Sequence, residues 1–172
     1  MQKPKSGSRD EITFITPSMG TRWEIHSQRC IALARPAAQR IVVDGHSKWD
    51  PLYFVAVSQK VDTEFTVLVD EDCFLLDTSV IDGAISRMKL DDSLAMCGPV
   101  AGGTYHRHLN PFACNTYFLV ARTKALRQIA SVEDWRSLTF QDVSELFGAH
   151  PLAHLLDKSR IDTSLSEPYY PA

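Results

Sequence analysis

Apolar runs of strand length alternate with segments of helical spacing along most of this chain. Ile12 to Thr16 is a first strand, stopped by Pro17. Thr21-Arg-Trp-Glu24 then has the spacing of a capping box, opening a helix that runs to about Arg35 and ends before Pro36. Arg40 to Val43 is a second strand, running into Asp44-Gly45-His46-Ser47. Asp50-Pro51 supplies an N-cap and a first-turn proline for a helix carrying Leu52 through Val61. Phe65-Thr66-Val67-Leu68-Val69 is a strongly apolar third strand. Thr78 or Ser79 caps a helix through Met88, and Leu94 to Val100 reads as a fourth strand. Strands and helices in this order, with short connections, predict an α/β fold with a mostly parallel central sheet and helices on both faces.

The pattern loosens after Val100. Ala101-Gly-Gly-Thr-Tyr-His-Arg-His108 is a flexible, polar loop, of the kind that tends to contact ligands. A strand is expected from Cys114 to Ala121, with helices at Lys124 to Ala130 and Phe140 to Phe147, the latter closed by Gly148. The expected organisation is a flexible N-terminus over residues 1–10, a single α/β domain over 11–160 and an irregular tail over 161–172.

Composition narrows the functional classes. With 172 residues, 44% of them hydrophobic, the chain can bury the core of one domain. A net charge of −3 with scattered basic residues gives no electrostatic footprint for nucleic acid or an anionic membrane. Cys30, Cys73, Cys97 and Cys114 form no close pair and read as thiols of a reducing compartment. The polar start Met1-Gln-Lys-Pro-Lys-Ser-Gly-Ser lacks the apolar core of a signal peptide, and no transmembrane segment is evident, so a cytoplasmic location is expected.

Candidate chemistry concentrates at Asp70-Glu71-Asp72, where the third strand ends. The carboxyl ends of strands are where open α/β sheets bind ligands. If the backbone stays extended, residues i and i+2 share a face, so Asp70 and Asp72 would point to one spot and Glu71 away. Two converging carboxylates repel unless a cation lies between them, and a hard divalent ion bridging to phosphate oxygens meets that need. The alternative is a solvated acidic turn after a buried strand.

Three strand ends share one edge in this reading: Thr16-Pro17-Ser18, Asp44-Gly45-His46-Ser47 and Asp70-Glu71-Asp72. Their order resembles the nucleotide-diphospho-sugar transferases, the glycosyltransferases of the A-type, Rossmann-like fold. The match spans roughly the first two-thirds of the chain and rests on three short motifs, each weak alone. The resemblance implies Thr16, Pro17 and Ser18 beside the nucleotide, with Asp44 accepting a hydrogen bond from the base. It implies Mn2+ or Mg2+ held directly by Asp72, while Asp70 touches the ribose or reaches the metal through water. The substrate implied is a UDP- or GDP-linked sugar, and the acceptor is an unknown hydroxyl. A base for that hydroxyl is expected as an acidic residue near the start of a late helix, and Asp142 in Thr139-Phe-Gln-Asp142 matches best, ahead of Glu133-Asp134. The same Thr139 and Asp142 also fit a helix-capping pair, the reading that local pattern favours. Ser18 and Asp44 equally suit turns, and Asp50 suits a helix cap.

Other residues have weaker claims. Arg107 and Arg122 are candidates to assist a diphosphate. His106, His108, His150 and His154 have no neighbours that single them out as ligands. The chain departs from the family in having room for only one helix between Asp44 and Asp70, and in a short C-terminal part.

Two further readings stay open. In a phosphatase of the haloacid dehalogenase type, Asp70 would be the nucleophile and Asp72 the acid/base, with Asp91-Asp92 as a later acidic pair. A catalytically silent nucleotide-binding domain would keep the sheet without turnover. The sequence lacks Gly-x-Gly-x-x-Gly, a phosphate-loop Gly-Lys-Ser/Thr and Gly-x-Ser-x-Gly, which argues against dinucleotide oxidoreductases, phosphate-loop kinases and serine hydrolases.

Overall fold

The computed structural model describes residues 10–45, 57–101, 110–114 and 117–130. The elements in chain order are β1 (Ile12–Ser18), α1 (Arg22–Ala34), β2 (Gln39–Asp44), β3 (Phe65–Val69), α2 (Ser79–Leu90), β4 (Met96–Cys97), β5 (Val100–Ala101), β6 (Asn110–Cys114), β7 (Phe118–Arg122) and α3 (Thr123–Ala130). Five strands form an open sheet in the order β2-β1-β3-β7-β4, and β5 and β6 pair separately. β1 runs parallel to both β2 and β3, whereas β7 is antiparallel to both β3 and β4. The fold is therefore mixed α/β, which corrects the expectation of a mostly parallel sheet.

The first half follows local signals. Thr21 caps α1 by accepting from the Trp23 N–H at 3.3 Å. Every residue of β3 is buried, as its apolar run requires of a strand flanked by β1 and β7 and covered on both faces. β2 lies at the sheet edge and alternates between half-buried and exposed positions. β1 passes through Pro17 to Ser18 rather than stopping at Thr16. Its pairing with β3 extends only to Ile15, so Pro17 lies beyond the stretch that is paired on both sides.

Two apolar layers sandwich the sheet. On one face Ile12, Phe14, Phe65, Val67, Val69 and Val120 pack against Ile31 of α1 and Ile81, Ile85 and Met88 of α2. Burying side chains of this size contributes about 1.5–3 kcal/mol each. On the other face Ile15, Leu68 and Leu119 meet Val57 and Val61 from the segment ahead of β3. Hydroxyl pairs Thr13–Thr63 and Thr66–Thr123, both at 2.8 Å, satisfy buried side chains that apolar neighbours would strand.

The second half departs from the sequence expectations. The strand expected from Leu94 to Val100 is two short pieces, β4 and β5, in different sheets. The strand expected from Cys114 to Ala121 is likewise split into β6 and β7. Arg122, a candidate for phosphate binding, is buried at the opposite edge, level with Phe65 where β3 begins. Its guanidinium donates to the carbonyls of Leu94 (3.0 Å) and Met88 and to Asp92 (3.1 Å), tying the end of α2 to β7. The helix at Lys124 to Ala130 is present as α3. The helix at Phe140 to Phe147, the N-terminus and the tail lie outside the described residues, as does most of the helix at 52–61. Among the described residues, no helix is long and apolar enough to cross a membrane.

Candidate functional site

Because β1, β2 and β3 run parallel, their carboxyl ends emerge at one edge, and side chains and backbone stitch them together there. Ser18 and Asp44 face each other in register, and the Gly45 N–H donates to the Ser18 carbonyl at 2.7 Å. A Cβ at Gly45 would meet Met19 Sδ at 2.9 Å and the Ser18 carbonyl oxygen at 3.0 Å, so the close approach of β2 to β1 depends on glycine. Beyond Ser18 the chain turns at Gly20, whose φ of 69° lies in the left-handed region. The Gly20 N–H donates to Ser18 Oγ at 3.0 Å.

On the β3 side the chain turns just past the last rung of its ladder with β7. The Asp70 N–H donates to the Tyr117 carbonyl at 2.9 Å, and the Cys73 N–H donates back to the Asp70 carbonyl at 3.0 Å, making Asp70–Cys73 a tight turn. Glu71, expected to point away, is the buried member of the acidic triplet. Its Oε2 accepts from the Met19 N–H at 3.0 Å and lies 3.3 Å from Ser18 Oγ. Ser18 also donates to Glu24 of α1, so two carboxylates flank one hydroxyl with a single proton to give. Glu71 does point away from the exposed Asp72, as alternation predicts, and the side it takes is the inner one, against Ser18 and Met19.

Asp72 is exposed and Asp70 partly so. Both carboxylates act on the half-buried Cys73 thiol: burial pushes its pKa up, and the negative charges of Asp70 and Asp72 push it further. Among the described residues, no three His, Cys, Asp or Glu side chains are grouped to hold a metal by themselves.

The other expected residues separate clearly. Asp44 is exposed at the end of β2. Thr16 is fully buried, and its hydroxyl accepts from Gln28 Nε2 at 2.9 Å, so it anchors α1 and presents no surface to a ligand. Pro17 is half-buried and Ser18 is buried in the contacts above. Asp92 bonds Arg122 and Asp91 accepts from the Ser93 N–H at 2.9 Å, near the start of β3, which removes them from the edge where Asp70 lies. Asp142, Glu133, Asp134, Asp50, Arg107 and the four candidate histidines lie outside the described residues. Cys30, Cys73 and Cys97 are free thiols, as expected.

An aromatic group beside this edge was not anticipated. Trp23 in the first turn of α1 and Phe74 after the acidic turn meet edge to face, with centroids 6.1 Å apart. Their signal in the sequence was faint, since Trp23 sits singly among polar neighbours and Phe74 within the short apolar run Cys73-Phe-Leu-Leu76.

No family profile matches the sequence. No curated protein matches it either. Among solved structures, A197 from STIV is similar with a TM-score of 0.45 and 14% identity, over 77% of this chain and 72% of that one. CMP:2-keto-3-deoxy-manno-octonic acid synthetase complexed with CTP is similar with a TM-score of 0.43 and 9% identity, over 85% of this chain and 86% of that one.

Proposed function

We propose that the edge formed by the ends of β1, β2 and β3 binds a nucleoside-diphosphate sugar and transfers its sugar to an acceptor hydroxyl. The observation that carries this reading is that the acidic turn Asp70–Asp72 gathers with Ser18 and Asp44 at the shared carboxyl edge of three parallel strands, where Glu71 fastens the turn to Ser18 and Met19. Asp44, exposed beside Ser18, is suited to accept from a base N–H. Asp72 would hold Mn2+ or Mg2+ directly, with Asp70 on the metal or the ribose. The bound ion would neutralise charge on the departing diphosphate. Glu71 and Ser18 hold the strand ends at a fixed spacing, which keeps the nucleotide and cation positions in register. Asp142 is the proposed base for the acceptor hydroxyl, on its sequence context alone.

The test is thermal unfolding with UDP or GDP and Mn2+. The expected result is a rise in Tm for one of them, abolished in Asp72→Ala. No rise with any nucleoside diphosphate would overturn the reading. Slow release of sugar from a sugar nucleotide, lost in Asp142→Asn with binding intact, distinguishes a transferase from a silent binding domain.

A further inference from the structure

We infer that Trp23 and Phe74 form a stacking platform for the acceptor, and that this acceptor is a neutral carbohydrate. The inference deepens the transferase reading and rests on it for the word acceptor, although the platform itself rests on geometry alone. The two rings stand at 79° to one another with centroids 6.1 Å apart, forming two walls of a corner. Trp23 keeps 42% of its surface exposed and Phe74 keeps 40%, so neither is committed to the core. Exposed aromatic pairs of this kind mark binding surfaces more often than isolated exposed residues do. The Arg22 guanidinium lies over the indole, 4.5 Å from its centroid, and the His26 ring lies 6.4 Å from Trp23.

The position of the corner ties it to the proposed site. Ser27 Oγ donates to the Cys73 carbonyl at 2.8 Å, which clamps the first turns of α1 to the residue lying between Asp72 and Phe74. A ligand on the platform therefore lies beside the acidic turn.

Charge selects among occupants. Asp70, Asp72 and Asp77 all belong to the loop that carries Phe74, so a polyanion such as nucleic acid is repelled. A purely apolar partner would strand the exposed Asp72 carboxylate away from water. A pyranose meets both demands. Its C–H face is drawn to the electron-rich ring face, and its hydroxyls donate to carboxylates and accept from Arg22.

The experiment records tryptophan indole N–H signals of the full chain during titration with maltotriose, cellotriose and chitotriose, with Trp23 assigned through Trp23→Phe. The expected result is that one trisaccharide moves the Trp23 signal. With affinity measured by titration calorimetry, Trp23→Ala and Phe74→Ala should each weaken that binding at least about tenfold, while the rise in Tm with Mn2+ and nucleoside diphosphate survives. Trp23→Phe should retain most of the saccharide binding, which separates a lost platform from a damaged fold. If no saccharide moves Trp23 while the nucleotide still binds, the platform is overturned and the transferase reading stands. Loss of nucleotide binding in Trp23→Ala would also overturn it, assigning the rings to the base. Saccharide binding without any nucleotide binding would support the platform and remove the transferase reading.

Discussion

Glu71 Oε2 lies 3.3 Å from Ser18 Oγ and accepts from the neighbouring Met19 N–H at 3.0 Å, joining positions 53 residues apart where β1 and β3 end. A buried carboxylate in the middle of an acidic triplet is thus a fastener, while Asp72 beside it is exposed and Asp70 partly so.

Replacing Glu71 tests that division of labour. Glu71→Ala removes the acceptor of the part-buried Met19 N–H bond and the contact with Ser18, so it should lower stability by about 1 kcal/mol. Glu71→Gln keeps an acceptor oxygen and should lose less. Urea unfolding measures both; equal stability of the alanine variant and the parent would show that the fastener contributes nothing.

Glycine substitutions give a paired contrast. Gly45→Ala drives a Cβ to 3.0 Å from the Ser18 carbonyl, which backbone pairing prevents from yielding, so a loss of about 1–3 kcal/mol is expected. Gly83 in α2 has nothing within 4 Å of a new Cβ, and Gly83→Ala should stabilise by about 0.5–1 kcal/mol. Opposite shifts in Tm are the expected readout.

Cys73 reports on the acidic turn through its pH profile. Burial and the charges of Asp70 and Asp72 disfavour the thiolate, so half-maximal alkylation by iodoacetamide should occur above the ordinary thiol value of 9.0. Removing a negative charge favours the thiolate, so Asp70→Asn and Asp72→Asn should each move that midpoint down, Asp70→Asn by more. Peptide mapping by mass spectrometry isolates Cys73 from Cys30 and Cys97. An unmoved profile in both variants would show that the carboxylates do not converge there.

Arg122 should behave as a structural clamp. Arg122→Ala strands the buried Met88 carbonyl and removes the bond to Leu94, with an expected loss of about 2–3 kcal/mol. Asp92→Ala removes only an exposed partner, and its loss should stay under about 1 kcal/mol. Nucleotide binding by an Arg122→Lys variant that remains folded should match the parent; selective loss of binding would return Arg122 to the site.

Much of the first half was legible residue by residue. Thr21 caps α1, the five residues from Phe65 to Val69 form the fully buried strand, and Asp44 ends β2 beside Ser18. What local pattern missed shares a cause. Alternation separated Glu71 from Asp72 but could not say that Glu71 takes the inner side, where Ser18 and Met19 bond its carboxylate. Thr16 looked like a ligand contact because it precedes Pro17, yet Gln28 of α1 claims its hydroxyl. Arg122 looked like a free cation until β7 carried it to the far end of β3.

Local pattern alone determined β1, α1, β2, β3, α2 and α3, to within a few residues at their ends, because periodicity and capping are written within a few neighbouring residues. Tertiary structure decided that β7 enters the sheet antiparallel between β3 and β4, that Glu71 rather than its neighbours turns inward, and that Trp23 meets Phe74. Those outcomes depend on which distant groups compete for each backbone hydrogen bond and each buried contact, and that competition is settled only when the strand ends come together.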